Sequence, residues 1–165
     1  MRILDLYNRL ADKPAGRWLF SKLVCLKAPY FASISPRIVL LKPQRGIATL
    51  RHRRRVTNHI GTVHAIALCN LAEFVGGLTC DVSLPREMRW IPKGMQVEYL
   101  KKAVGTMTAT ATPEFVADIR DSGYDLPFNV SITDDGGAEV FRARIAMWIT
   151  PISSSQASAS SQATA

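Results

Sequence analysis

Between Val63 and Leu78 the chain reads VHAIALCNLAEFVGGL, an apolar run whose only acidic residue is Glu73 and whose only other polar residues are His64 and Asn70. An ionised carboxylate in apolar surroundings is expensive unless it is paired or hydrogen-bonded. Desolvation raises its pKa toward the range in which it exchanges protons near neutral pH, which is what a general acid or base needs. The structural alternatives for Glu73 are a solvent-lined seam or an ion pair with Arg142 or Arg144. His64 is a second titratable candidate, either a catalyst or a hydrogen-bonded structural histidine. On one helix, residues 64 and 73 point about 180° apart and are separated by roughly 13 Å along the axis. One chain cannot bring them together. A site that uses both needs a second copy, with each site at the interface of a two-fold dimer.

The start of this helix carries chemistry of its own. Gly61 makes a break, Thr62 is the expected N-cap, and the free N–H groups of Val63, His64 and Ala65 form a positive end that polarises a carbonyl. Just upstream, Arg51-His52-Arg53-Arg54-Arg55 is the strongest charge cluster. It is either a solvated basic face or a phosphate cradle, in the second case with help from Lys93, Lys101 and Lys102. No recognition-helix, RNA-binding or zinc-finger pattern accompanies it, so no nucleic-acid partner is expected. Cys69, one helical turn before Glu73, reads as a packing thiol. The three cysteines form no CxxC pair, no metal-ligand spacing joins them to the three histidines, and P-loop and GxSxG sequences are absent. Neither a metal nor an independent cofactor is expected.

These residues need elements to hold them. A helix that is apolar all round and short of bilayer length must be buried in protein. Ala65, Ala67, Ala72, Gly76 and Gly77 keep it slim, so a sheet can approach closely. Period-two patterns predict strands around Ile38–Leu40 and Ile47–Arg51, joined by a turn at Lys42–Gly46, and later at 89–101, 106–112, 127–133 and 139–150. Their spacing reads as an antiparallel meander curled around the one central helix. Residues 1–34 form a helical N-terminal extension, with apolar residues at helical spacing in Ile3–Leu10 and again in Trp18–Leu26. Packing against the domain is the plain reading of that extension, and docking to a membrane surface or partner is the alternative. Residues 152–165 hold six serines and no charge, the composition of a disordered tail. With 165 residues, 47% hydrophobic residues and a net charge of +8, the chain is a single globular domain that attracts anionic partners. Neither a membrane span nor a signal sequence is expected, and the expected location is cytoplasmic.

The segment Asn58-His59-Ile60-Gly61-Thr62-Val63-His64, followed by Leu71-Ala72-Glu73, resembles the N-H-x-G-T-x-H-G-G…L-A-D/E signature of hotdog-fold acyl-CoA thioesterases of the phenylacetate-pathway type. Gln96–Ala103 looks like the strand that runs toward a tyrosine-containing end in that family, and the resemblance spans about residues 35–151. It implies an α+β hotdog domain: a curved antiparallel sheet wrapped around the central helix, in homodimers with a continuous sheet that often pair into homotetramers. The implied substrate is an acyl-CoA or another acyl thioester, with coenzyme A as part of the substrate and no separate cofactor. Glu73 matches the catalytic acid, and the Ala65 N–H from the other subunit matches the group that polarises the thioester carbonyl. Asn58 matches an asparagine lining the site, and His64 a histidine that fixes the loop and helix start. Gly61, Arg53, Arg54, Arg55 and Lys101 are the expected substrate-binding residues. Two departures stand out. Ala65-Ile66 replaces Gly-Gly, and Trp90-Ile91-Pro92 offers no hydroxyl where some members place a Ser or Thr. They leave a non-catalytic acyl-ligand binding protein as the alternative reading.

Overall fold

The computed structural model describes residues 2–152. Helices α1 (Ile3–Ala11) and α2 (Gly16–Lys27) open the chain, and a 3-10 turn at Pro29–Ser33 leads to strands β1 (Arg37–Lys42) and β2 (Arg45–Leu50). A second 3-10 turn, Arg54–Val56, precedes the long helix α3 (Ala65–Ser83), which is followed by β3 (Met88–Tyr99), β4 (Met107–Pro113), β5 (Tyr124–Thr133) and β6 (Glu139–Pro151). The strands form one antiparallel sheet in the order β1-β2-β4-β5-β6-β3, packed on α3. This is the sheet around a central helix expected from the apolar run, and the hotdog architecture that the resemblance implies. The expected tail beyond Ile152 lies outside the described residues. Ile152 itself donates its N–H to the Glu87 carbonyl at 2.8 Å.

The sheet is not a simple meander. Instead of pairing with β4, β3 crosses to the far side and lies beside β6, from Met88 opposite Pro151 to Tyr99 opposite Phe141. Adjacency in sequence predicts adjacency in space only for short connections. Here α3 carries the chain away from β2, and β4 later fills the place beside it. The hairpin also departs from strict alternation. A bulge between Ile38 and Leu40 shifts the face, so Ile38 and Leu41 are the buried residues while Leu40 is only half-buried.

The core lies between α3 and the inner face of the sheet. Leu71, Phe74 and Val75 meet Phe128, Ile132 and Ile145 in one continuous buried cluster that also takes in Tyr7 of α1 and Phe20 of α2. Small residues set the spacing. A Cβ on Gly77 would stand 2.9 Å from the Trp90 ring of β3, closer than carbon atoms pack. Helix α3 is the described helix long and apolar enough to cross a membrane, and most of it is buried inside the protein.

The two sheet edges are treated differently. β1 is short and is covered by α2, whose Ser21 Oγ accepts a hydrogen bond from Ile38 N–H at 2.8 Å. β3 is twelve residues long and, among the described residues, pairs only with β6, which leaves its outer edge open. Pro92 and the bulge between Pro92 and Gly94 interrupt that edge, as expected of an edge strand.

Candidate active site

Helix α3 starts differently from the expectation. Its N-cap is His64, not Thr62: the His64 backbone is extended, and its Nδ1 accepts from Ile66 N–H at 3.1 Å. Thr62 is instead buried in the preceding turn, where its Oγ1 accepts from Asn58 Nδ2 at 2.8 Å. Asn58 Oδ1 accepts from Ile60 N–H and Thr62 N–H, each at 3.1 Å. The Asn58 amide, expected to line a site, is therefore committed to building the 58–62 turn. Gly61 supplies the left-handed φ of +79° that this turn requires.

These bonds leave one amide at the helix start unused. Val63 N–H donates to the Ala103 carbonyl and His64 N–H to the Val56 carbonyl, both at 2.8 Å, while Ile66 N–H goes to His64. The Ala65 N–H, at the first helical position, has no acceptor among the described residues. It sits where the positive end of a helix attracts negative charge.

For Glu73 the structure corrects the expectation of a buried carboxylate. Glu73 is on the central helix but exposed in the protomer, with no ion pair or hydrogen bond to another described residue. The expected partners are engaged elsewhere. Arg144 grips Glu114 through both carboxylate oxygens at 2.6 and 3.0 Å, and Arg142 pairs with Glu139. These arginines hold both carboxyls below the usual range. They alternate with buried Ala143 and Ile145, so they lie on the sheet face turned away from α3. A cleft of about 470 Å³ on that outer face, lined by residues such as Thr110, Asn129 and Arg144, is likewise separated from Glu73 by the sheet.

Glu73 lies instead on a stripe of α3 that its own sheet leaves uncovered. Ile66 is 55% exposed, Cys69 is half-buried, and Glu73 follows at helical spacing. Edge strand β3 runs beside this stripe. Trp90 packs over Gly77 near one end, and at the other the Tyr99 hydroxyl meets Cys69 Sγ at 3.2 Å. That hydrogen bond, with a smaller contribution from burial, pushes the Tyr99 pKa up to about 12. The pairing was not legible in the sequence because thirty residues separate the partners. Beside the stripe Tyr99 is 50% exposed, and Ile60, in the turn before the helix, is 60% exposed. Such a patch beside an open strand edge lacks a partner surface.

The basic residues divide. Arg53 Nη2 donates to the Ile34 carbonyl at 3.2 Å, a structural bond. Lys93 lies far along β3, paired with Asp125 at 3.1 Å and stacked over the Trp148 ring, so it does not join the others. Arg54, Arg55, Lys101 and Lys102 are exposed, without ion pairs among the described residues. Two bonds bring their segments together at the helix start: Gly105 N–H to His52 Nδ1 at 3.1 Å, and Val63 N–H to the Ala103 carbonyl.

Comparison with known proteins agrees with this architecture. A family model described as a domain of unknown function (DUF4442) matches residues 16–149. A structure described only as a genomics crystal structure is 40% identical, covering 91% of this chain and 98% of its own, with a TM-score of 0.77. A thioesterase from Haemophilus influenzae shares the fold at 17% identity and a TM-score of 0.67, over 78% of this chain and 87% of its own. A mutant thioesterase from Pseudomonas aeruginosa does so at 16% identity and a TM-score of 0.68, over 80% and 92%. No curated protein matches.

Proposed function

The chain belongs to the DUF4442 family, and from that premise we propose that it hydrolyses an acyl thioester at sites built between two copies of itself. The observation that carries this reading is the uncovered stripe of α3, with Glu73 in it, beside the open edge of β3. Pairing two copies along β3 extends the sheet and covers Ile66 and Tyr99. It also brings the Ala65 N–H of one copy toward Glu73 of the other, which the length of α3 forbids within one chain. The thioesterase names of the hotdog neighbours support the substrate class.

In this mechanism the Glu73 carboxylate takes a proton from a water molecule as the water oxygen bonds to the thioester carbonyl carbon. Negative charge gathers on the carbonyl oxygen, where the Ala65 N–H and the helix end stabilise it. The tetrahedral intermediate collapses by breaking the C–S bond. The thiolate leaves and takes the proton from Glu73, and the carboxylic acid product gives up its remaining proton to solvent. Arg54, Arg55, Lys101 and Lys102 form a cationic rim suited to the phosphates of a coenzyme A ester.

The competing reading, a binding protein without turnover, is favoured by the Ile66 side chain, which stands exposed beside the unused N–H where the resembled signature has glycine. A panel of acyl thioesters varying in chain length and carrier, run with wild type and Glu73→Gln, separates the two. Turnover by wild type that the variant loses, with its fold retained, supports hydrolysis. Binding of acyl-CoA without turnover by either protein supports the second reading.

A further inference from the structure

Helix α2 has apolar residues on both of its sides. The inner side is buried: Phe20 packs edge-on to Tyr7 at 5.2 Å, and Cys25 is buried with it. On a wheel of 100° per residue, the outer arc carries Trp18, Lys22, Leu26, Leu19 and Leu23 in that order. The four apolar members are 50%, 80%, 42% and 38% exposed respectively, and Tyr30 in the following turn is 71% exposed. An exposed apolar arc of this kind calls for an apolar partner, and the protomer covers only the other side of α2. Strand order puts α2 at the β1 edge, opposite the open edge of β3. A dimer formed along β3 therefore leaves this face bare.

Charge identifies the occupant. Arg17, Lys22 and Lys27 accompany the apolar arc, none of them in an ion pair among the described residues, and Lys22 sits over the Trp18 ring at 5.8 Å. Residues 13–72 contain eleven Lys and Arg and not one Asp or Glu, while the remainder of the chain is net acidic. A second copy docked on this face would bring like charges together. Residues 153–165 contain only Ser, Gln, Ala and Thr, with no large apolar or acidic side chain to answer it. Apolar side chains with a Trp at the margin and cations alongside are the composition of a helix lying in a membrane interface.

We propose that the outer face of α2 docks on an anionic lipid bilayer. Trp18, Leu19, Leu23 and Leu26 enter the acyl boundary, and Arg17, Lys22 and Lys27 reach the headgroup phosphates. Lys22, in the middle of the arc, extends its stem along the apolar surface to do so.

The test is flotation of the full chain with vesicles of phosphatidylcholine alone and of phosphatidylcholine with about one-third phosphatidylglycerol. Binding to the anionic vesicles is expected to be tighter by about tenfold or more, since each cation near such a surface contributes roughly fivefold. Trp18→Ser with Leu26→Ser, and separately Lys22→Glu with Lys27→Glu, should each remove most of that binding without changing the circular dichroism or gel-filtration position. Arg54→Glu with Arg55→Glu, away from α2, should remove much less. Equal binding to both vesicle types, no binding at low salt, or loss through the Arg54/Arg55 pair alone would overturn the proposal. So would lipid-free self-association that the Trp18/Leu26 variant abolishes.

Discussion

Ala65→Pro separates the chemistry of the helix start from its architecture. Ala65 occupies the first helical position, and His64 before it has φ −64° and ψ 138°. That is the extended conformation a residue preceding proline prefers. Proline is accommodated at the first helical position because its φ is already helical and its missing N–H is one the helix does not use. At Ala65 no hydrogen bond with a described residue is lost, because the N–H makes none. The stability change should stay within about 1 kcal/mol, against roughly 3 kcal/mol for proline in a helix interior. A change that small moves the melting temperature by about 4 °C at most in a chain of this size. If the same N–H receives the developing oxyanion, its removal costs roughly 10²–10³-fold in kcat. The assay pairs initial rates of thioester cleavage, read by release of free thiol, with thermal melting of the same preparation. His64→Ala, which removes the cap itself, should lose about 1 kcal/mol in the same melt. Wild-type turnover in Ala65→Pro would refute the role of the N–H in catalysis, and destabilisation by about 3 kcal/mol would refute the claim that it is structurally unused.

Three further outcomes follow from the same geometry. Gly61→Ala should destabilise by about 1–2 kcal/mol, measured by urea denaturation, because φ is +79° there while a Cβ meets nothing within 4 Å; no loss would mean the turn adopts another conformation. Cys69→Ala should bring the Tyr99 titration down from about 12 toward the ordinary phenol value, followed by ultraviolet difference spectra, since the Cys69 hydrogen bond is the main cause of the shift. Arg54→Glu with Arg55→Glu should raise KM for coenzyme A esters more than for the matching pantetheine esters, and equal effects on both would reject a phosphate role for that rim.

What could be read from the sequence was whatever depends on local pattern. The apolar run with Ala72, Gly76 and Gly77 marked a central helix that a sheet approaches closely, and alternation marked the strands. Pairing order was not readable, because β3 chooses β6 over a separation that no local signal spans. The bulge at Ile38–Leu40 reset the alternation in a way that composition does not announce. Thr62 looked like a cap because threonine usually caps, yet its hydroxyl is taken by Asn58, and the cap falls to His64, whose Nδ1 reaches Ile66 N–H. The environment of Glu73 was misread for a related reason. Alanine and glycine count as apolar in every direction, so the pattern around Glu73 seemed closed, while the folded protomer leaves the line of Ile66, Cys69 and Glu73 open.

That opening also constrains when Glu73 can act. In the lone protomer it is an ordinary exposed carboxylate, bathed in water that competes with any substrate and screens the charge it is meant to influence. The surfaces that border it without cover are Ile66, Tyr99 and the free edge of β3. In the proposed dimer, a second copy pairing along that edge buries all of them in one step. In the proposed mechanism the same step delivers the Ala65 N–H that the first chain holds too far away. Desolvation of the carboxylate and arrival of the oxyanion donor are then a single event, so catalysis and self-association share one free-energy requirement. A chain kept monomeric along β3 loses both contributions together, however well its own helix and sheet are folded.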